Sequence, residues 1–174
     1  MQTKRTRATN RGSRRRPAGF TLVEVIAVVV ILAIVAAVAI PTAIGTTDMA
    51  AVSAARRVSA ALEYAQSQAI TQQEPVEVTF DTGGEWYELR MANTSELVIH
   101  PMTKDAYRVE FGSEDRFREL DIVSADFGGS SVVEFDELGA PTSQGSVTLQ
   151  AGPHVYVVDV AAATGRVTVE TGSQ

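Results

Sequence analysis

Gly19-Phe20-Thr21-Leu22-Val23-Glu24-Val25 sets one carboxylate near the start of an otherwise uninterrupted apolar run. From Phe20 to Ile40 there are 21 residues, and Glu24 is the only charge among them. As an α-helix rising 1.5 Å per residue, that run is long enough to span the ~30 Å hydrocarbon core of a bilayer. A carboxylate in such a segment costs about 2.5–3.5 kcal/mol at the centre and less near an end, so Glu24 reads as a functional residue in need of a partner. Arg14-Arg15-Arg16-Pro17-Ala18 stands directly before the junction.

Other export signals share parts of this pattern. Ala37-Val38-Ala39 has the form of a secretory cleavage site, but the apolar run is longer than the usual 7–15 residues and a Glu inside it would serve no purpose. Ser13-Arg14-Arg15 hints at twin-arginine export, against which stand Pro17 and the lack of apolar residues right after the arginines. An ordinary signal anchor, with Glu24 merely tolerated near the interface, is the third alternative.

The basic leader, the Gly-Phe junction, Thr-Leu-x-Glu and the apolar run together resemble the N-terminal signal of type IV prepilins and type II secretion pseudopilins. The resemblance implies that prepilin peptidase cuts between Gly19 and Phe20 and methylates the new amino group of Phe20. It implies too that Phe20 and Glu24 direct subunit assembly, the Glu24 carboxylate meeting the N-terminal amine of a neighbouring subunit in a hetero-oligomeric filament. An ammonium and a carboxylate brought together in an apolar core each relieve the other's desolvation, and removing one leaves the other uncompensated. Pro41 falls where pilins commonly carry a helix-kinking proline, and it removes one backbone donor.

Charge is distributed accordingly. Seven of the 15 basic residues lie in residues 1–19 and all 21 acidic residues lie after them, so cleavage at Gly19 leaves a net charge of −13. A cationic leader keeps its own side cytoplasmic and sends the C-terminal part across the membrane; the prepilin resemblance implies that this is a single-pass inner-membrane protein with its C-terminal domain in the periplasm. An acidic exported domain argues against nonspecific nucleic-acid binding. With no cysteine there is neither a disulfide framework nor a thiolate metal site.

The helix is expected to run over residues 20–73, with 20–40 transmembrane. An interruption at Pro41–Thr47 is followed by Asp48 as an N-cap. Beyond it Val52, Ala55, Val58, Leu62, Ala65 and Ala69 recur at helical spacing, with Arg56, Arg57, Glu63 and Gln66 facing solvent. Unbroken, that helix would be ~80 Å long. Residues 74–174 change to a period of two and read as a β-rich domain. Val76–Phe80 and Trp86–Met91 form a hairpin around Asp81-Thr82-Gly83-Gly84. Further strands are expected at Leu97–His100, Tyr107–Phe111, Val132–Phe135, Val147–Gln150, His154–Val160 and Arg166–Glu170. Ser113–Glu119 is charged and reads as a loop or a short helix. The fold class predicted is α+β and pilin-like, a long N-terminal helix packed on an antiparallel sheet domain.

Val133–Gly139, Gly145–Leu149, Val155–Val160 and Thr164-Gly165-Arg166-Val167 are similar to the C-terminal domain of GspH/FimT-type minor pseudopilins. That resemblance implies a minor subunit of a type II secretion pseudopilus whose β domain meets neighbouring subunits or secreted cargo. A FimT-like minor pilin of a type IV pilus, binding DNA during uptake, is the alternative. It would need a basic surface patch, for which Arg90, Arg108, Arg116 and Arg118 are the available residues beside Arg166. On the residues alone, Gly139 and Gly165 need only turn conformations with positive φ, and Arg166 is a surface residue at a strand start.

No enzymatic constellation is present: His100 and His154 are far apart in sequence, and there is no phosphate loop and no nucleophile elbow. Asp136/Glu137 and Glu114/Asp115 read as solvated surface, and Asp121–Asp126 is too sparse for a calcium loop. Assembly rather than catalysis is the expected role, with no cofactor.

Overall fold

A computed structural model describes residues 21–172, with the backbone alone given for 36–47. The chain divides into two compact units, Met1–Ile40 and Pro41–Gln174, and the helix α1, Leu22–Gln72, contributes to both.

In the first unit every residue from Thr21 to Val35 is exposed, including large aliphatics such as Leu22, Ile31, Leu32 and Ile34. A soluble amphipathic helix hides one stripe, whereas this one is apolar all round and buries none. Among the described residues no helix is long and apolar enough to cross a membrane. The part whose side chains are described, Leu22–Val35, is 14 residues long, against the ~20 that a span requires.

The second unit holds the core. Along the rest of α1, Ala51, Ala54, Ala55, Val58, Ala61, Leu62, Ala65 and Ala69 are fully buried. Their spacing of three and four residues makes one stripe, and the alanines within it let the sheets approach closely. The stripe is turned slightly from the expected one, since Val52 is only half-buried and Ala51 and Ala54 take its place.

Eight strands follow: β1 (Val76–Asp81), β2 (Trp86–Met91), β3 (Arg108–Glu110), β4 (Leu120–Asp126), β5 (Val132–Phe135), β6 (Gly145–Ala151), β7 (His154–Val160) and β8 (Val167–Gly172). They form two four-stranded antiparallel sheets, ordered β3-β2-β1-β5 and β4-β6-β7-β8. Alternate residues of β1, Val76, Val78 and Phe80, are buried and those between them are not, as the period of two requires. Phe111, Phe117, Phe127 and Phe135 fill the interior with Tyr87 and Leu149. Phe111 and Phe117 meet edge to face at 5.3 Å between centroids, a favoured aromatic geometry.

Several expectations need correction. The helical assignment passes through Pro41–Thr47 without a break, so Asp48 is not an N-cap. Pro41 itself lies in the stretch given by its backbone alone. Leu97–His100 forms only isolated bridges, Arg90↔Leu97 and Ile99↔Ala106. Positive φ at Ser95 and Lys104 reverses the chain on either side, leaving too few residues for a ladder. Asp121–Asp126, too sparse for a calcium loop and not among the expected strands, belongs to β4, where a bulge between Ile122 and Ser124 disturbs the alternation. Ser113–Glu119 lies among two short 3-10 turns, Phe111–Ser113 and Asp115–Phe117.

Candidate assembly site

The segment singled out by sequence begins where the described residues begin. Gly19 and Phe20 lie outside them. Thr21 stands just before α1, and its Oγ1 accepts the backbone N–H of Glu24 at 3.2 Å. This is the first half of a capping box, in which a Thr at the N-cap satisfies the N3 amide and an acidic N3 side chain lies beside the orphan donors. In the sequence, Thr-Leu-x-Glu carries the signal resemblance and the lone carboxylate; the structure adds the cap. The cap fixes Glu24 in the first turn of α1, at the helix end whose partial positive charge favours an anion. Phe20, the residue expected to carry the new amine, is the immediate neighbour of that cap in sequence. Around Glu24 the exposed surface is aliphatic, with Val23, Val25 and Ile26 beside it.

In the β domain the second half of α1 is tied down by polar side chains that sequence reading had assigned to solvent. Arg57 donates to Glu114 at 2.6 Å, and its guanidinium lies 5.2 Å from the centre of the Phe117 ring. That guanidinium, helped by Arg116, holds the Glu114 carboxyl below the usual carboxylate range despite some burial. Gln66 reaches from α1 between two turns, its Nε2 donating to the carbonyls of Gly139 at 2.7 Å and Thr164 at 2.9 Å. Only Arg56 and Glu63 of the expected four are exposed.

The two glycines next to Gln66 do more than turn. Gly139 and Gly165 have φ of +81° and +63°, and a Cβ on Gly165 would run into the Gln66 amide. Asp48 accepts from the Tyr156 hydroxyl at 3.0 Å and faces His154 Nδ1 at 3.4 Å, joining α1 to β7. His100 packs at a tilt against Tyr107, 4.4 Å between ring centroids, and accepts the backbone N–H groups of Met102 and Thr103. Both histidines therefore have structural work.

The candidate basic patch is neutralised residue by residue. Arg90 pairs with Glu88 at 2.6 Å, Arg108 with Glu88 and Glu110, Arg116 with Glu114 and Arg118 with Asp115. Glu88 is buried under Arg90 and Arg108, and Arg108 also stacks 3.9 Å above Trp86. Asp136 caps its own turn, accepting from the amides of Leu138 and Ala140.

Comparison with known proteins decides what kind of chain this is. Residues 54–169 match the family model "Type II transport protein GspH", and residues 14–40 match the prokaryotic N-terminal methylation motif. The chain belongs to the GspH family. No curated protein matches it in sequence. The minor pseudopilin EpsH of the Vibrio cholerae type II secretion system superposes with a TM-score of 0.55 at 11% identity, covering 73% of this chain and 98% of that one. A second structure of EpsH gives 0.53 at 11% identity over 70% of this chain and 96% of that one. The type IV minor pilin FimU of Pseudomonas aeruginosa gives 0.49 at 18% identity over 69% and 87%. The likeness to EpsH shows a shared α+β pilin-like fold, and the family makes the chain a structural subunit of the pseudopilin and pilin class rather than an enzyme.

Proposed function

We propose that this chain is a minor pseudopilin-like subunit of a type II secretion pseudopilus, made as an inner-membrane precursor with its β domain in the periplasm. Prepilin peptidase cleaves between Gly19 and Phe20 and methylates Phe20. Glu24 then pairs with the terminal amine of a neighbouring subunit as the filament forms. The observation that carries this reading is the stretch Thr21–Val35, apolar on every side, exposed throughout, and bearing one carboxylate fixed by a threonine cap at the helix start. An exposed apolar patch far larger than a monomer tolerates marks an interaction surface. Lipid supplies it before assembly and other helices supply it afterwards. The β domain meets neighbouring minor subunits or secreted cargo.

The alternative, a FimT-like minor pilin that binds DNA, gains no support from the four arginines proposed for it, since each holds a carboxylate. Phosphate binding needs cations that are available to release counterions.

Intact-mass spectrometry of the protein from cells with and without prepilin peptidase tests the processing step. Loss of residues 1–19 and gain of one methyl group, both dependent on the peptidase, is the expected result. An uncleaved chain, or a new N-terminus near Ile40, would mean a plain anchor or a secreted domain. Deleting the gene in a strain that has both a secretion pseudopilus and type IV pili, then scoring secretion and piliation separately, distinguishes the two machines.

A further inference from the structure

The outer edge of the second sheet carries an unusual pattern. β8 pairs only with β7, so one side of its backbone has no strand partner among the described residues. Free edges are ordinarily blunted by shortness, bulges, proline or lysine, or by a covering element. Each of the other three edges has such a device: β3 is three residues long, β4 carries the bulge and gives its Ile122 amide to Glu85, and β5 is bridged at Phe135 by Pro141. β8, six residues without proline, lysine or bulge, carries within the strand a single charge, Glu170.

Its side chains are arranged for one particular neighbour. Arg166 stands just before β8, and Glu170 lies four residues on. Both are exposed, and neither takes part in an ion pair among the described residues. At ~3.3 Å per residue they are ~13 Å apart along the strand, too far to meet each other. Midway between them is Thr168. Val167 and Val169 point the other way, beside the buried Val160 and Val158 of β7, yet Val169 remains 40% exposed.

We propose that β8 is a homodimerisation edge, joining antiparallel to β8 of a second copy of this chain about a two-fold axis at Thr168. In that register Arg166 of each copy lies opposite Glu170 of the other, Val167 lies opposite Val169, and Thr168 lies opposite itself. Two opposite-charge pairs and two valine pairs form at once, each a favourable cross-strand combination. An isologous contact of this kind uses one surface twice and closes.

The backbone phase agrees. Ala161 donates to the Arg166 carbonyl, so residue 166, whose N–H donates to the Thr164 hydroxyl, turns its carbonyl toward β7. By the alternation of an antiparallel ladder 168 and 170 do likewise, and 167, 169 and 171 present theirs to the free edge. Val167 and Val169 would thus be the hydrogen-bonded pairs across the axis. Thr168 would face Thr168 at a non-hydrogen-bonded site, where Cα atoms stand ~4.5 Å apart. The contact uses residues 166–170 only and does not depend on how the N-terminal segment is processed.

Because the chain has no cysteine, the axis can be tested directly. Full-length Thr168→Cys in the membranes of cells making it, oxidised with copper phenanthroline, should form a disulfide-linked dimer, since ~4.5 Å lies within disulfide range. Val169→Cys alone should link at least tenfold less, its partner position being 167. Adding Arg166→Glu to Thr168→Cys should cut the dimer about tenfold, and adding Glu170→Arg as well should restore it. A monomeric Thr168→Cys protein, equal linking at 169, or failure of the double swap to rescue would each overturn the proposal. The swap changes only exposed side chains, so folding loss is excluded by an unchanged melting temperature in all variants.

Discussion

The two described stretches of α1 obey the same helical geometry and answer to different surroundings. Leu22–Val35, Glu24 apart, is aliphatic around its circumference and buries nothing among the described residues, whereas Ala51–Ala69 sets a stripe of small residues under two sheets and keeps Arg56 and Glu63 in water. Hydrophobicity alone does not say where a helix finds its partner; its angular distribution does. A narrow stripe is satisfied by the domain that follows it, and a full circumference requires lipid or other subunits.

The largest effects are expected at the start of the first stretch. Gly19→Arg should leave unprocessed precursor and abolish assembly, read by the mass of the membrane-bound protein. Glu24→Ala should be cleaved normally yet fail to enter filaments, because the neighbour's ammonium would then be buried without a counter-charge, an effect of about 3–5 kcal/mol. Full secretion with Glu24→Ala would sink the pairing argument. Neither change should alter the melting of the β domain.

Aliphatic truncations sharpen the contrast. Leu62→Ala removes a fully buried side chain and should cost about 2–5 kcal/mol in chemical denaturation. Leu32→Ala, at 61% exposure, should leave the same transition within about 0.5 kcal/mol. Equal losses would mean that the first stretch folds with the domain.

Between these lies Gly165→Ala. The substitution forces a side chain into positive φ and against Gln66, so about 1–3 kcal/mol should be lost. Gln66→Ala in the same background should recover part of it by making room. That recovery distinguishes steric approach from backbone strain alone, a distinction the sequence could not make.

What sequence could and could not reveal follows from range. The β1–β2 hairpin, β5 and β7 were legible because alternation and glycine turns are local, and the buried stripe was legible to within one residue because helical spacing is local too. β4 was not, since Asp121, the bulge and Asp126 mask its alternation. Nor was the division into two sheets, or the use of Arg57 and Gln66 as ties to Glu114, Gly139 and Thr164, which are 57 to 98 residues away. Of the candidate assembly site, Glu24 stood out by being the sole charge, while Thr21 was legible only as part of the Thr-Leu-x-Glu signal and not as a cap, because a threonine cap is an ordinary helix start.

The smallest expected effects concern two carboxylates of the β domain with opposite signs. Glu134 sits across from Glu77 in the β1–β5 ladder; partial burial, then Glu77, Glu137 and Asp136, push its carboxyl up. Its ionised form is therefore unwelcome in the fold, and Glu134→Gln should stabilise the domain at neutral pH by about 0.5 kcal/mol. As pH falls through the raised folded value the wild-type residue takes up its proton, and the gain should vanish below the ordinary glutamate range. For Glu114, held low by Arg57, Glu114→Gln should destabilise at neutral pH. That loss is full above the ordinary glutamate range, shrinks as pH falls below it and is gone once pH has passed the depressed folded value, where the wild type has surrendered its own ion pair. Denaturation of both variants at several pH values reads the two effects against each other. Parallel shifts in both would show that neither ionisation is felt by the fold, leaving the small-residue stripe and its aromatic cover to hold the domain.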